Sequence, residues 1–270
     1  MTRGQVNKEF WLSAVRTNGS AMRTAFEEAA ASEPGLSAPV PPCPDWQVLD
    51  LIHHVAAVYL RVRSHIGRGV TDRPDSDPRD SLGELPTGDA AVQWWSDEYE
   101  ALLALLDTLD PQLPAWHWAP APKQVGFWHR RIAHETAMHR WDAQMAIGQG
   151  EPIEARLAVD GIAEVLDSWL PAERRKGPLD RTGVVRLVAT AGVEGGQGRT
   201  DAEHEWFVRL RGAGVALLDT DTWLDHDDPE TRVSARGGAS DLLLALFGRV
   251  PFDVLEITGD ATLLEPLRTG

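Results

Sequence analysis

Two segments of the chain carry residues whose types and spacing could do chemistry. In FWHRRIAHETAMHRWDAQMAIG, residues 127–148, Glu135 and His139 stand four apart. On a helix, positions i and i+4 lie one above the other on the same face. Taking Ile132 as the inward direction, Trp128, Glu135, His139, Ala143 and Ala146 all fall within about 60° of it, with Asp142 at the edge of that face. His134, Arg140 and Met145 point elsewhere, and His129 lies on the opposite flank. A carboxylate on a core-facing stripe costs several kcal/mol unless its charge is compensated. A divalent cation would compensate it. So would an intrahelical Glu135–His139 pair or one of the chain's arginines. The second segment, CPDWQVLDLIHHVAAVY, spans residues 43–59. Its apolar stripe is Leu51, Val55, Val58 and Val62, and His54 sits about 60° from Leu51 on the flank of that stripe. His53 falls on the far side, toward solvent. An inward His54 facing Glu135 and His139 makes three ligands with a fourth position open, the arrangement of a catalytic zinc.

Such a site needs helices to hold it. Apolar periodicity predicts helices over about 5–31, 46–67, 89–109 and 125–147, with Asp45 as the N-cap of the second. The connections, Glu33–Pro44, residues 68–88 and Asp110–Lys123, are rich in proline or glycine and read as loops. The last holds Trp116, His117 and Trp118, candidates for a pocket wall or for surface packing. After a further helix near 155–170, β-type runs appear at 184–188, 205–210, 215–218 and 231–235. A short helix at 239–247 ends at Gly248, and a final strand, a turn at Gly259 and a short helix close the chain. The fold class is α+β: a four-helix bundle over 1–150, then a smaller α+β domain over 151–270.

Composition narrows the function classes. The chain has 270 residues, 43% hydrophobic and 25% charged, an ordinary globular balance. Its formal net charge is −15, which argues against a nucleic-acid groove; a dianionic substrate would depend on local arginines. Its one cysteine, Cys43, excludes an intramolecular disulfide framework and an all-cysteine zinc site. Cys43 precedes a helix start, where a thiol pKa can fall, but no cysteine motif surrounds it and a structural role is expected. No apolar run is long enough for a membrane span, the N-terminal residues lack an apolar signal core, and a cytoplasmic protein is expected. The tryptophan count, 11 against two tyrosines and six phenylalanines, suits core filling or an aromatic-walled pocket.

The two helical segments resemble the two motifs of the mycothiol-dependent maleylpyruvate isomerase family, a branch of the DinB-like metal enzymes. The second carries that family's E-x-x-x-H-x-x-D pattern. The segment DLLLALFGRVPFDVLEITGD, residues 241–260, is similar to the family's C-terminal domain, a sterol-carrier-like α+β unit. The resemblance implies zinc, or another divalent metal, held by His54, Glu135 and His139 with water in the fourth position. It implies catalytic roles for Asp142 and, in the C-terminal domain, Arg249. It implies mycothiol or a related small thiol as cosubstrate, attacking a small electrophile. With a maleylpyruvate-like cis enedioate the outcome is cis–trans isomerisation; with an alkylating or activated compound it is thiol transfer. The expected place for substrate is a cleft between the domains. A non-catalytic metal- or ligand-binding protein of the same fold, or a metal-free polar network of the same three residues, are the rival readings. Nothing in the sequence sets the oligomeric state.

Overall fold

The computed structural model describes residues 3–191, 202–218 and 231–270. The chain divides into two compact units, Met1–Glu151 and Pro152–Gly270. The first holds four helices: α1 (Arg3–Ala31), α2 (Val48–Arg63), α3 (Asp89–Thr108) and α4 (Val125–Ala146). Helix α1 packs chiefly on α4 and α2 chiefly on α3. Their apolar stripes meet in a core that includes Phe26, Leu51, Ile52, Tyr59, Trp95, Leu102 and Ile132, all buried. Phe26 meets Trp95 edge-on at 5.2 Å between ring centroids, and Trp95 stacks on Tyr99 at 5.4 Å, geometries that aromatic rings prefer.

Helix α2 starts later than its sequence suggests. Asp45 is not its N-cap. The backbone N–H of Trp46 donates to the carbonyl of Cys43 at 3.0 Å, closing a turn with Pro44 second and Asp45 third. Asp45 has φ 68°, the left-handed conformation that the third position of a type II turn requires. The cap role passes to Gln47, whose backbone N–H donates to Asp50 Oδ2 at 2.9 Å, the reciprocal arm of a capping box. Arg61 and Arg63 in the last turn suit the helix dipole.

Helix α4 lies at the centre of the unit and is buried almost all round, including His129, His134 and Arg140, which phase places away from the inner face. Such a helix is ordinarily apolar throughout. Here its polar groups find partners. His129 Nε2 lies 2.9 Å from the Leu106 carbonyl. Arg140 donates to Asn18 Oδ1 at 3.1 Å and to the Glu151 carbonyl at 2.6 Å. Thr136 pairs with the Tyr59 hydroxyl at 2.7 Å.

The second unit is α+β. Helix α5 (Ala155–Glu164) runs on into a wider π-helical turn, Val165–Trp169. The described strands are β1 (Thr182–Ala191), β2 (Ala202–Arg211), β3 (Gly214–Leu218), β4 (Arg232–Gly238) and β5 (Glu256–Gly259), with helix α6 (Ala239–Leu246) between the last two. They form one mixed sheet in the order β3-β2-β1-β4-β5. Strands β1–β2, β2–β3 and β4–β5 are antiparallel; β1 and β4 are parallel. The β2–β3 hairpin turns through Gly212 at φ 60°, a conformation glycine adopts without a Cβ penalty. Helices α5 and α6 pack on each other, and Leu157, Ile162, Leu242, Leu243 and Leu246 are buried along with Val185 and Leu187 of β1.

Candidate metal centre

Helices α2 and α4 bring His54, Glu135 and His139 together. Glu135 Oε1 lies 3.2 Å from His139 Nε2 and 3.5 Å from His54 Nε2. One ligand atom from each residue lies within 4.8 Å of the others, and among the described residues this is the group of His, Cys, Asp and Glu side chains placed to hold a metal ion. Zinc ligands at about 2.0–2.1 Å in a tetrahedron stand about 3.4 Å apart. The two distances to Glu135 Oε1 match that edge. The donor set, two imidazole nitrogens and one carboxylate oxygen, is one that zinc and other divalent transition metals accept. Exposure is uneven: the side chain of His54 is 37% exposed, Glu135 14% and His139 7%. The cluster is therefore open on the His54 side and closed behind His139.

Two buried neighbours fix the donor atoms. Asp142, fully buried, places Oδ2 2.9 Å from His139 Nδ1. An Nδ1–H donating to that carboxylate leaves Nε2 with its lone pair toward the cluster. Arg131, one turn before Glu135 and 6% exposed, donates to Glu135 Oε2. One carboxylate oxygen is thus held by a guanidinium while the other meets both imidazoles. Burial alone would raise the Glu135 pKa, but Arg131 and His139 outweigh it and hold the carboxyl well below its usual range. Burial pulls His139 the other way, and Glu135 and Asp142 together keep it above its ordinary value.

Trp46 forms a wall at the open side, its ring centroid 5.0 Å from that of His54. Its backbone is pinned at both ends, its N–H on Cys43 O and its carbonyl accepting from Val40 N at 2.8 Å. His54 and His139 approach at 5.0 Å between ring centroids, nearly edge to face.

Of the remaining candidates, one meets the cluster. Asp142 joins the cluster, but behind His139. Arg249 belongs to the second unit, just after α6, where its Nη1 donates to the Phe247 carbonyl at 3.1 Å. Cys43 is buried in the turn before α2. His53, expected toward solvent, is half-buried: Nε2 lies 2.7 Å from the Pro86 carbonyl, and its ring packs near Trp94. In the loop before α4, His117 is buried and stacks on Phe127 at 4.0 Å, while Trp116 is half-buried and accepts the Trp128 indole N–H on its carbonyl at 2.7 Å. Sequence reasoning named no particular arginine for Glu135; the four-residue spacing from Arg131 was the available signal. It also passed over Trp46, which no helical phase reaches.

Residues 19–144 match the family model of the mycothiol maleylpyruvate isomerase N-terminal domain. The match contains all three residues of the cluster and both of their buried neighbours. No curated protein and no solved structure matches the chain. Within its helical unit, the chain is thus similar to the mycothiol maleylpyruvate isomerase N-terminal domain family.

Proposed function

We propose that the protein is a metal-dependent enzyme that uses a small thiol, mycothiol in the first instance, to attack a small electrophile. The observation that carries this reading is the convergence of His54 Nε2, Glu135 Oε1 and His139 Nε2 at spacings that suit one zinc-sized ion. These three side chains would hold the ion, leaving room for a further ligand on the His54 side. When bound, a divalent cation supplies positive charge that favours thiolate over thiol near neutral pH.

The chain's own residues do the rest. Asp142 keeps His139 in the tautomer that presents Nε2. Arg131 holds the second oxygen of Glu135 so that Oε1 faces the imidazoles. Trp46 narrows the open side beside His54. With a cis enedioate, the thiolate sulfur adds to one alkene carbon and a C–S bond forms as the C=C π bond opens. The resulting single bond rotates, and loss of the thiolate restores the double bond in the trans geometry. With an activated alkylating substrate, the same attack expels a leaving group and the product keeps the thiol. Arg249, named by the family resemblance, belongs to this proposal as a guanidinium for a substrate carboxylate.

Arg131 favours one competing reading. A buried guanidinium already compensates the Glu135 charge, so the cluster could be a metal-free ion-pair network. Elemental analysis of the purified full chain separates the two. Our reading expects about one divalent ion per chain, its loss in His139→Ala, and turnover that requires added thiol. Protein that holds no metal and takes up no added zinc would leave the network reading standing.

A further inference from the structure

The three residues of the cluster come from two helices that are not each other's main partners. Helix α1 packs chiefly on α4, and α2 chiefly on α3. The cluster therefore bridges two helix pairs, and its geometry depends on how α2 is seated against α4. A tetrahedral ion tolerates little error there, since a working site must be held to within about 0.5 Å.

One polar contact at that seam involves neither the three cluster residues nor Arg131 and Asp142. The Tyr59 hydroxyl of α2 lies 2.7 Å from the Thr136 hydroxyl of α4. Neither residue has any exposed surface. Thr136 follows Glu135 directly, so on the helix it stands about 1.5 Å further along the axis and about 100° round. On α2, Tyr59 stands five residues beyond His54, about 7.5 Å along and about 140° round. The hydroxyl pair and the cluster thus hold α4 at nearly one height but from two directions. A single contact would leave α4 free to turn about it. Two contacts fix both its distance from α2 and its rotation, and the rotation decides whether Glu135 and His139 face His54.

Packing alone does not call for the two hydroxyls. The Tyr59 ring stands 6.2 Å from that of Tyr99, which stacks on Trp95, and phenylalanine would make the same ring contacts. Valine has nearly the shape of threonine. A neutral buried pair adds about 0.5–1.5 kcal/mol of net stability, but any seating of the helices that separates the hydroxyls leaves them buried and unpaired, which costs more. The pair therefore selects one seating among those the apolar core would accept.

We infer that Tyr59 and Thr136 are positioning residues of the metal centre, their hydroxyl pair setting the seat of α4 against α2 that lets His54 join Glu135 and His139 on one ion. The inference rests on the proposed function and adds the device that closes its site.

The test measures the zinc affinity of the full chain by competition with a chromophoric chelator, beside the urea midpoint of metal-free protein. Tyr59→Phe and Thr136→Val each delete one hydroxyl and keep the shape. Each should weaken zinc binding about tenfold, the worth of one hydrogen bond, and the double variant should lose no more than either alone. Thr136→Ser keeps the hydroxyl and should bind zinc as the parent does. Tyr99→Phe is the control. It removes a buried hydroxyl that donates to the Val15 carbonyl at 3.3 Å, a tie between α3 and α1, and should lower the urea midpoint while leaving zinc affinity unchanged. The two single variants are separate readings, so one that fails to fold leaves the other to decide. Parental zinc affinity in a folded Tyr59→Phe or Thr136→Val would make the pair merely structural and overturn the inference alone. Losses that add in the double variant, or an equal loss in Tyr99→Phe, would overturn it too. A parent chain that takes up no zinc would overturn the proposed function and this inference with it.

Discussion

The Nδ1 atom of His139 lies 2.9 Å from Oδ2 of Asp142, a carboxylate with no exposed surface. The buried carboxylate is placed to hold the imidazole from the side away from the cluster's opening. Under the proposed function Asp142 acts as a positioning residue, one that fixes the tautomer and rotation of His139. Asp142→Asn keeps the shape and an acceptor oxygen but removes the charge. It should weaken zinc binding about 10- to 100-fold, the usual cost of losing such a partner, and leave the KM for the electrophile unchanged. Competition with a chromophoric chelator gives the affinity. An unaltered zinc affinity would remove Asp142 from the site.

Arg131 supplies a test that separates a metal site from a metal-free network. Its guanidinium and the Glu135 carboxylate are both largely buried. Breaking a buried pair by removing one partner costs about 3–5 kcal/mol, because the other charge is left without compensation. Arg131→Met should therefore lower the melting temperature of metal-free protein. If the cluster takes a divalent ion, zinc restores the missing positive charge, and the zinc-induced rise in melting temperature should be larger in the variant than in the parent. Thermal unfolding with and without zinc measures both. A variant that zinc fails to rescue favours the network.

Trp46 sits close enough to His54 to report on occupancy. Cobalt(II) binds where zinc does in sites of this ligand type and quenches nearby indole emission. Titrating cobalt into the parent chain should quench part of its tryptophan fluorescence. In Trp46→Phe that quenching should fall measurably, while the cobalt stoichiometry stays the same. Quenching of equal size in the variant would place the ion elsewhere.

Helical phase sufficed to bring His54, Glu135 and His139 to one place, because the spacing of residues on a helix is fixed by its geometry. It failed where tertiary context decides. His129 and Arg140 sit on flanks of α4 that look solvent-facing in isolation, yet α3 supplies the Leu106 carbonyl to the first and α1 supplies Asn18 to the second. Asp45 has the side chain of an N-cap, but the Pro44 turn takes it into a left-handed conformation and the capping box falls to Gln47 and Asp50. In the second unit, strand propensity marks β1 and β4 but says nothing of their parallel pairing across 40 or more residues. That pairing is long-range and leaves no local signal.

Three buried histidines outside the cluster make stability depend on pH. Burial lowers the pKa of His65, His117 and His129 below the ordinary 6.5, with Arg61 and Arg68 adding to the effect at His65, Lys123 at His117 and Lys8 at His129. The unfolded chain takes up these protons near pH 6.5, and the folded chain resists them until lower pH. Their contribution is thus whole above 6.5 and is lost as pH falls from there through the folded values. His139 acts in the opposite sense, since its folded pKa is raised, so the parent protein alone mixes the two. His129→Gln isolates one component: a glutamine amide can still donate to the Leu106 carbonyl but does not titrate. Between about pH 7.5 and pH 5.5 the urea midpoint of metal-free His129→Gln should fall less than that of the parent. Equal falls in the two proteins would show that His129 takes up its proton as readily in the fold as outside it, and that the Leu106 contact does not hold it neutral.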